Sequence, residues 1–250
     1  MAPPKPQPQP STSPRKLLIR VRHPLNDLNP IARPTYKEYL IHSTTLTTSS
    51  KHFQRLCSTP HTGPAHQAIV LNQATTLEFE VYIRWLHNRD LVTPPPTGAT
   101  APEQNARAEY DQLLRCYDLG HALEDTRFMN AIMTQLVTLL RSGSYPVQLI
   151  AVLTLSRVQH FFTAYPIVSP IQKFVVRAAA RFANTGEIEA MIGEGYPVEF
   201  KNGLVVALEE MRGRDVREGG VGSAAEDFSG EGCWWHYEHE EGEVCPAVGR

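Results

Sequence analysis

Thr76-Leu77-Glu78-Phe79-Glu80-Val81-Tyr82-Ile83-Arg84-Trp85-Leu86-His87 is the stretch on which the reading of this chain turns. Phe79, Tyr82, Ile83 and Leu86 fall at i, i+3, i+4 and i+7, so a helix gathers them into one aromatic and aliphatic stripe that must face a core. Upstream, Tyr39-Leu40-Ile41-His42-Ser43-Thr44-Thr45-Leu46-Thr47-Thr48-Ser49-Ser50-Lys51-His52-Phe53 reads as a short strand passing through a histidine into a Ser/Thr-rich helix over about 44–56 that ends in Ser50-x-x-Phe53. As a strand and helix of an α+β domain, this segment would bury Leu40, Leu46, Phe53 and Leu56.

Around these two segments the chain divides readily. Residues 1–14 alternate proline with Lys, Gln and Ser, a composition that favours extended polyproline II and offers too little apolar surface to fold. Lys16 to Val21 and Tyr36 to Ile41 are strand candidates separated by a Pro/Asn-rich stretch, and Ala68-Ile69-Val70-Leu71 is a third. Asn88 to Asn105 holds Pro94-Pro95-Pro96 and reads as a loop, since three successive backbone donors are missing. Tyr110, Leu113, Leu114 and Tyr117 then mark a helix. Asp125 or Thr126 caps the next, with Phe128, Ile132, Leu136 and Leu139/Leu140 inward, and the two form an antiparallel hairpin.

The remainder is helical in pattern. Pro146 suits the first turn of a helix to about Phe161, Ser169-Pro170 supplies a cap and a first-turn proline for a helix through Phe182, and Asn184-Thr185-Gly186 reads as its end. Pro197 opens a last amphipathic helix with Phe200, Leu204, Leu208 and Met211 inward. From Gly213 the apolar residues thin out and glycines suggest a linker.

Composition narrows the function. The apolar fraction of 42% is that of an ordinary globular chain, so one folded body with loose ends is expected. The basic residues of the first 55 positions form no Lys/Arg run, which argues against nucleic-acid binding. No stretch approaches the roughly 18 consecutive apolar residues of a membrane span, and the N-terminus lacks the apolar core of a secretory signal, so a cytoplasmic or nuclear, membrane-free protein is expected. Four cysteines in 250 residues are too few for a disulfide scaffold. Phosphate-loop, nucleophile-elbow, dinucleotide-fingerprint and zinc-protease motifs are all missing from the sequence, so a non-catalytic role is expected.

Together the Tyr39–Phe53 segment and the Phe79–His87 helix resemble a BTB/POZ domain, and the resemblance extends over about residues 16–140. It includes Leu113-Leu114-Arg115-Cys116-Tyr117-Asp118-Leu119-Gly120-His121-Ala122-Leu123-Glu124-Asp125 in the following helix pair. The chain departs from the family in having no acidic residue near Asn72 and in its long proline-rich loop. Tyr165-Pro166-Ile167-Val168-Ser169-Pro170-Ile171-Gln172 is similar to a turn in the helical extension of fungal BTB-like proteins. The resemblance implies an α+β fold, a small sheet covered by helical hairpins in a BTB/POZ-like domain (15–140) and followed by an all-helical extension (141–212). A leader (1–14) and a flexible acidic tail (213–250) flank them. It also implies association with itself or another BTB domain through Leu17–Val21 and Thr44–Leu56, an adaptor or scaffold role, and a cullin-type ligase scaffold as a further partner.

One constellation has metal-ligand spacing. Cys233, His236, His239 and Cys245 offer two thiols and two imidazoles that a zinc ion could draw into a small knuckle, with no other cofactor suggested. The spacing is compressed relative to common zinc fingers. The segment is read in preference as an acidic tail with an aromatic Trp234-Trp235-Tyr237 docking motif, and a zinc-binding regulatory protein is the alternative function.

Overall fold

Strand β1, Lys16–Arg22, alternates Leu17, Ile19 and Val21 with Leu18, Arg20 and Arg22, and the first set is buried. A strand with one such apolar edge needs neighbours on both sides to satisfy its backbone. It pairs antiparallel with β2, Tyr36–His42, and parallel with β3, Ile69–Thr75, giving a three-stranded mixed sheet in the order β2-β1-β3. The computed structural model describes residues 15–23, 35–58, 68–91, 101–143, 145–218 and His236, with the side chains of 214–218 left aside. Together with ten helices among those residues, the sheet makes a mostly helical α+β fold.

The segment joining β2 to β3 differs from the single helix expected over 44–56. It holds α1, Ser43–Thr47, and α2, Lys51–Ser58, with a turn between them. Ser50 causes the break: its buried hydroxyl donates to the Leu123 carbonyl at 2.7 Å and accepts from the Phe53 amide at 3.2 Å, so it caps α2 while tying it to a distant turn. Ser50-x-x-Phe53 is therefore a helix start, and Phe53 is fully buried just inside it. Leu46 is buried too, but Leu40 is 63% exposed, because Tyr39 and Ile41 take the inward positions of β2.

The helix α3 covers Thr76–Asn88, with Phe79, Tyr82, Trp85 and Leu86 buried. Thr75 and Glu78 form its capping box, the Glu78 carboxylate accepting from the Thr75 amide at 2.7 Å. Helix α4, Pro102–Ala122, starts within the stretch expected to be loop, with Pro102 in the first turn where its missing donor costs nothing. Asp125 caps α5, Thr126–Arg141. The two helices approach so closely that a Cβ at Gly120 would lie 2.8 Å from Met129 Cγ. Leu91 lies in no strand and Val92 is outside the described residues.

In place of one helix from Pro146 to Phe161 there are two, α6, Pro146–Val152, and α7, Leu155–Ala164. On one continuous helix Val152 and Val158 would project about 120° apart. The break at Leu153 and Thr154 lets both be buried. Helix α8, Pro170–Phe182, starts at the expected cap. That helix ends at Phe182, where Asn184-Thr185-Gly186 was expected to end it, and Asn184 then caps a further helix, α9, Thr185–Ile192, in a box with Glu187. Helix α10, Val198–Glu218, runs through Gly213, where a linker was expected. One continuous set of buried side chains extends from Leu17 to Ala207, with α6 packed on α4, so the helical extension shares the core of the α+β part. No described helix is long and apolar enough to cross a membrane.

Candidate functional site

The pleat of the sheet decides what its outer face carries. Register pairs Leu18 with Leu40, Arg20 with Glu38 and Arg22 with Tyr36 on β2, and Arg20 with Val70 on β3, so these side chains share the face turned away from Ile19, Val21 and Leu71. Leu40 and Val70 are exposed there, at 63% and 44%. Arg20 lies between them and forms an ion pair with Glu38 at 2.7 Å. Tyr36 donates to Asn72 Oδ1 at 3.4 Å. An apolar stripe with a central ion pair is thus open on this face.

The segments singled out for association are placed unequally. Leu17, Ile19 and Val21 are buried in the chain's own core, and of β1 Lys16, Leu18 and the arginines turn outward. Between Thr44 and Leu56 the exposed residues are Thr44, Thr48, Lys51, Gln54 and Arg55, a polar surface.

Beneath α2 lies a buried polar junction centred on Asp125. One carboxylate oxygen accepts from the Phe128 amide at 3.0 Å, and the other accepts from Tyr82 OH at 2.9 Å and Ser49 Oγ at 2.6 Å. Burial, reinforced by the Asp125 charge, raises the Tyr82 phenol well above the usual tyrosine range, so it is a fixed donor. Arg55 and Glu124 pair at the rim. The junction joins α1–α2, α3 and the α4–α5 turn. The sequence marks Asp125 as a cap, but its other two donors come from residues 43 and 76 positions earlier.

A groove of 710 Å³ between α4 and the α6–α7 pair is lined by Arg107, Asp111, Asp118, Arg157 and His160. Burial works to raise Asp111, and hydrogen bonds and charge from Arg115 and Arg157 outweigh it, leaving that carboxyl below its ordinary range. Asp118 accepts from Tyr165 and lies 3.0 Å from His160 Nε2. His121 packs against the same tyrosine with its ring tilted and the centroids 4.3 Å apart, and burial lowers its pKa against the pull of Asp118. Ser156 lines this groove, yet its hydroxyl pairs with Thr154 at 3.2 Å, so Ser156, His160 and Asp118 make no nucleophile-base-carboxylate relay. The groove is an ion-pair network that fastens the extension to α4.

Of the four tail residues with metal-ligand spacing, only His236 is described. It is buried against α5, Nε2 2.9 Å from Thr134 Oγ1. Thr134 Oγ1 also lies 3.0 Å from the Asn130 carbonyl, so the one hydroxyl bridges the helix backbone and the imidazole. Cys233, His239 and Cys245 lie outside the described residues, among which no group of three or more His, Cys, Asp or Glu side chains could hold a metal ion. Nothing in the sequence singles out Thr134.

Compared with protein-family models, curated proteins and solved structures, the chain finds no match in any of the three.

Proposed function

We propose that this chain is a non-catalytic association module of the BTB/POZ kind that pairs with a second copy of itself or with another such domain. The observation that carries the reading is the outer face of the sheet, where Leu40 and Val70 stand exposed on either side of the Arg20–Glu38 pair. A two-fold dimer brings the same patch together twice, so an apolar stripe flanking both a positive and a negative charge suits self-complementary contact. Two further observations support the family assignment. A small sheet followed by a helix and a helical hairpin agrees with the α+β half that the resemblance implies, although two short helices stand where it implies one. Ser50-x-x-Phe53 and Phe79-x-x-Tyr82-x-x-Trp85-Leu86 both serve the core, as structural signatures would. An adaptor or scaffold role in the cytosol or nucleus, with a cullin-type ligase scaffold as partner, rests on the resemblance alone.

Light scattering of the full chain at micromolar concentration tests the proposal. Self-association predicts twice the chain mass of 28.0 kDa. Leu40→Glu with Val70→Glu should return the monomer with unchanged circular dichroism, since both side chains already face water. A monomeric wild-type chain, or a dimer indifferent to the double substitution, would refute pairing through this face.

A further inference from the structure

The contact between His236 and Thr134 has a setting that extends along the whole of α5. Met129, Ile132, Met133, Leu136, Val137 and Leu140 bury one side of this helix, and Thr134 sits on the other. Arg127 and Arg141 stand seven residues before and after Thr134, two helical turns or about 10 Å each way, and so on the same stripe. No acidic residue occurs between Thr126 and Arg141, so the helix itself contributes only cations to this stripe. The chain that carries His236 has the opposite character. Residues 218–249 contain eight acidic residues and no Lys or Arg, and Glu238, Glu240, Glu241 and Glu243 follow His236 directly.

We propose that the outer stripe of α5 is a docking site for the chain's own C-terminal segment, with His236 as its anchor and the acids after it drawn to Arg127 and Arg141. The anchor is a specific one. One hydroxyl, set between the Asn130 carbonyl and the His236 ring, fixes where the imidazole sits. Seventeen residues separate Glu218, at the end of α10, from His236, and when extended they span about 60 Å, enough to reach any face of a body this size. Tethering raises the effective concentration of the segment to the millimolar range, so one buried ring and a few screened charges suffice to keep it seated. The stripe is thereby occupied in cis, and a separate acidic segment of the same chemistry has to displace the tail to bind there. The inference does not rest on the BTB reading.

The test uses the full chain and diethyl pyrocarbonate as the probe, with histidine modification located by mass spectrometry. His236 should react about tenfold or more slowly than exposed His42 and His87, the reference histidines, in line with a ring held by a buried hydrogen bond. Thr134→Val, which removes the hydroxyl at constant shape, should bring its rate to theirs, and Arg127→Glu with Arg141→Glu should do so in part, as should high salt. Circular dichroism on each variant reports whether the fold is kept. Protection should not change over a hundredfold dilution. His236 as reactive as His42 in the wild-type chain, or protection unaffected by both sets of variants, would overturn the proposal. Protection that fades on dilution would place the tail on a second copy and overturn docking in cis.

Discussion

Replacing Asp125 with alanine should cost more than any exposed charge in the molecule, and the structure sets the size. The carboxylate is fully buried and accepts three hydrogen bonds, from the Phe128 amide, Tyr82 OH and Ser49 Oγ. Loss of the helix cap costs about 1 kcal/mol. Each hydroxyl that loses a bond to a charged acceptor adds about 1.5–3 kcal/mol. Water reaching the half-buried Ser49 returns part of that, so about 4 kcal/mol remains, a large share of a typical total of about 5–15 kcal/mol. For a chain of this length it lowers the melting temperature by roughly 8–16 °C. Urea and thermal unfolding, followed by circular dichroism, measure it. Tyr82→Phe should lose about 1.5–3 kcal/mol, and the double variant should show a coupling of about 1 kcal/mol or more, since both changes remove the same bond. Asp125→Asn, which keeps an oxygen for the Phe128 amide, should fall between wild type and Asp125→Ala. An Asp125→Ala chain melting within about 2 °C of wild type would mean that the junction does not hold α2 and α3 to the α4–α5 turn, and the reasoning would fail.

Two further outcomes can be read from the same instruments. Phe79 is fully buried with its ring 5.1 Å from Tyr39, so Phe79→Ala should lose about 3–5 kcal/mol, whereas Leu40→Ala, on the open sheet face, should stay within about 0.5 kcal/mol of wild type in the unfolding midpoint. His121 has its pKa lowered, first by burial, from the ordinary 6.5, so the unfolded chain takes up a proton before the folded one does. Stability from this group is full above 6.5 and is lost as pH falls through 6.5 toward the folded value; a His121→Gln chain should show a flatter decline in urea midpoint across that interval, and an unchanged slope would refute the assignment.

The sequence by itself determined the elements whose signals are local. The periodicity of Phe79, Tyr82 and Leu86, the Ser169-Pro170 start and the Asp125 cap each sit within a turn or two of the structure they specify. So do the alternation of β1 and the aromatic and aliphatic stripes of α4 and α5. A helix face or a cap is decided by residues three or four positions apart, and these are visible in one dimension. Where two local signals competed, the reading went astray. Asn184-Thr185-Gly186 does mark the end of α8, but Asn184 with Glu187 is also a capping box that opens α9. Pro94-Pro95-Pro96 drew the expected loop past the true start of α4 at Pro102.

What the tertiary structure alone decided depends on residues far apart in the chain. Ser50 breaks the expected helix because its hydroxyl meets a carbonyl 73 positions away, and Asp125 becomes a junction only when Ser49 and Tyr82 are folded onto it. Leu40, apolar and flanked by apolar residues, looks as fit for the core as Ile41 does. Register with β1, set by the burial of Tyr39 and Ile41, turns it to solvent, and the parallel pairing with β3 adds Val70 beside Arg20 on the same face. His236 illustrates the same limit most sharply: its neighbours in sequence suggest a metal ligand, and its neighbour in space is a threonine 102 positions earlier. A side chain's chemistry is read from its type, but its partner is chosen by closure of the chain, whose entropy is offset only by the summed burial of the whole core.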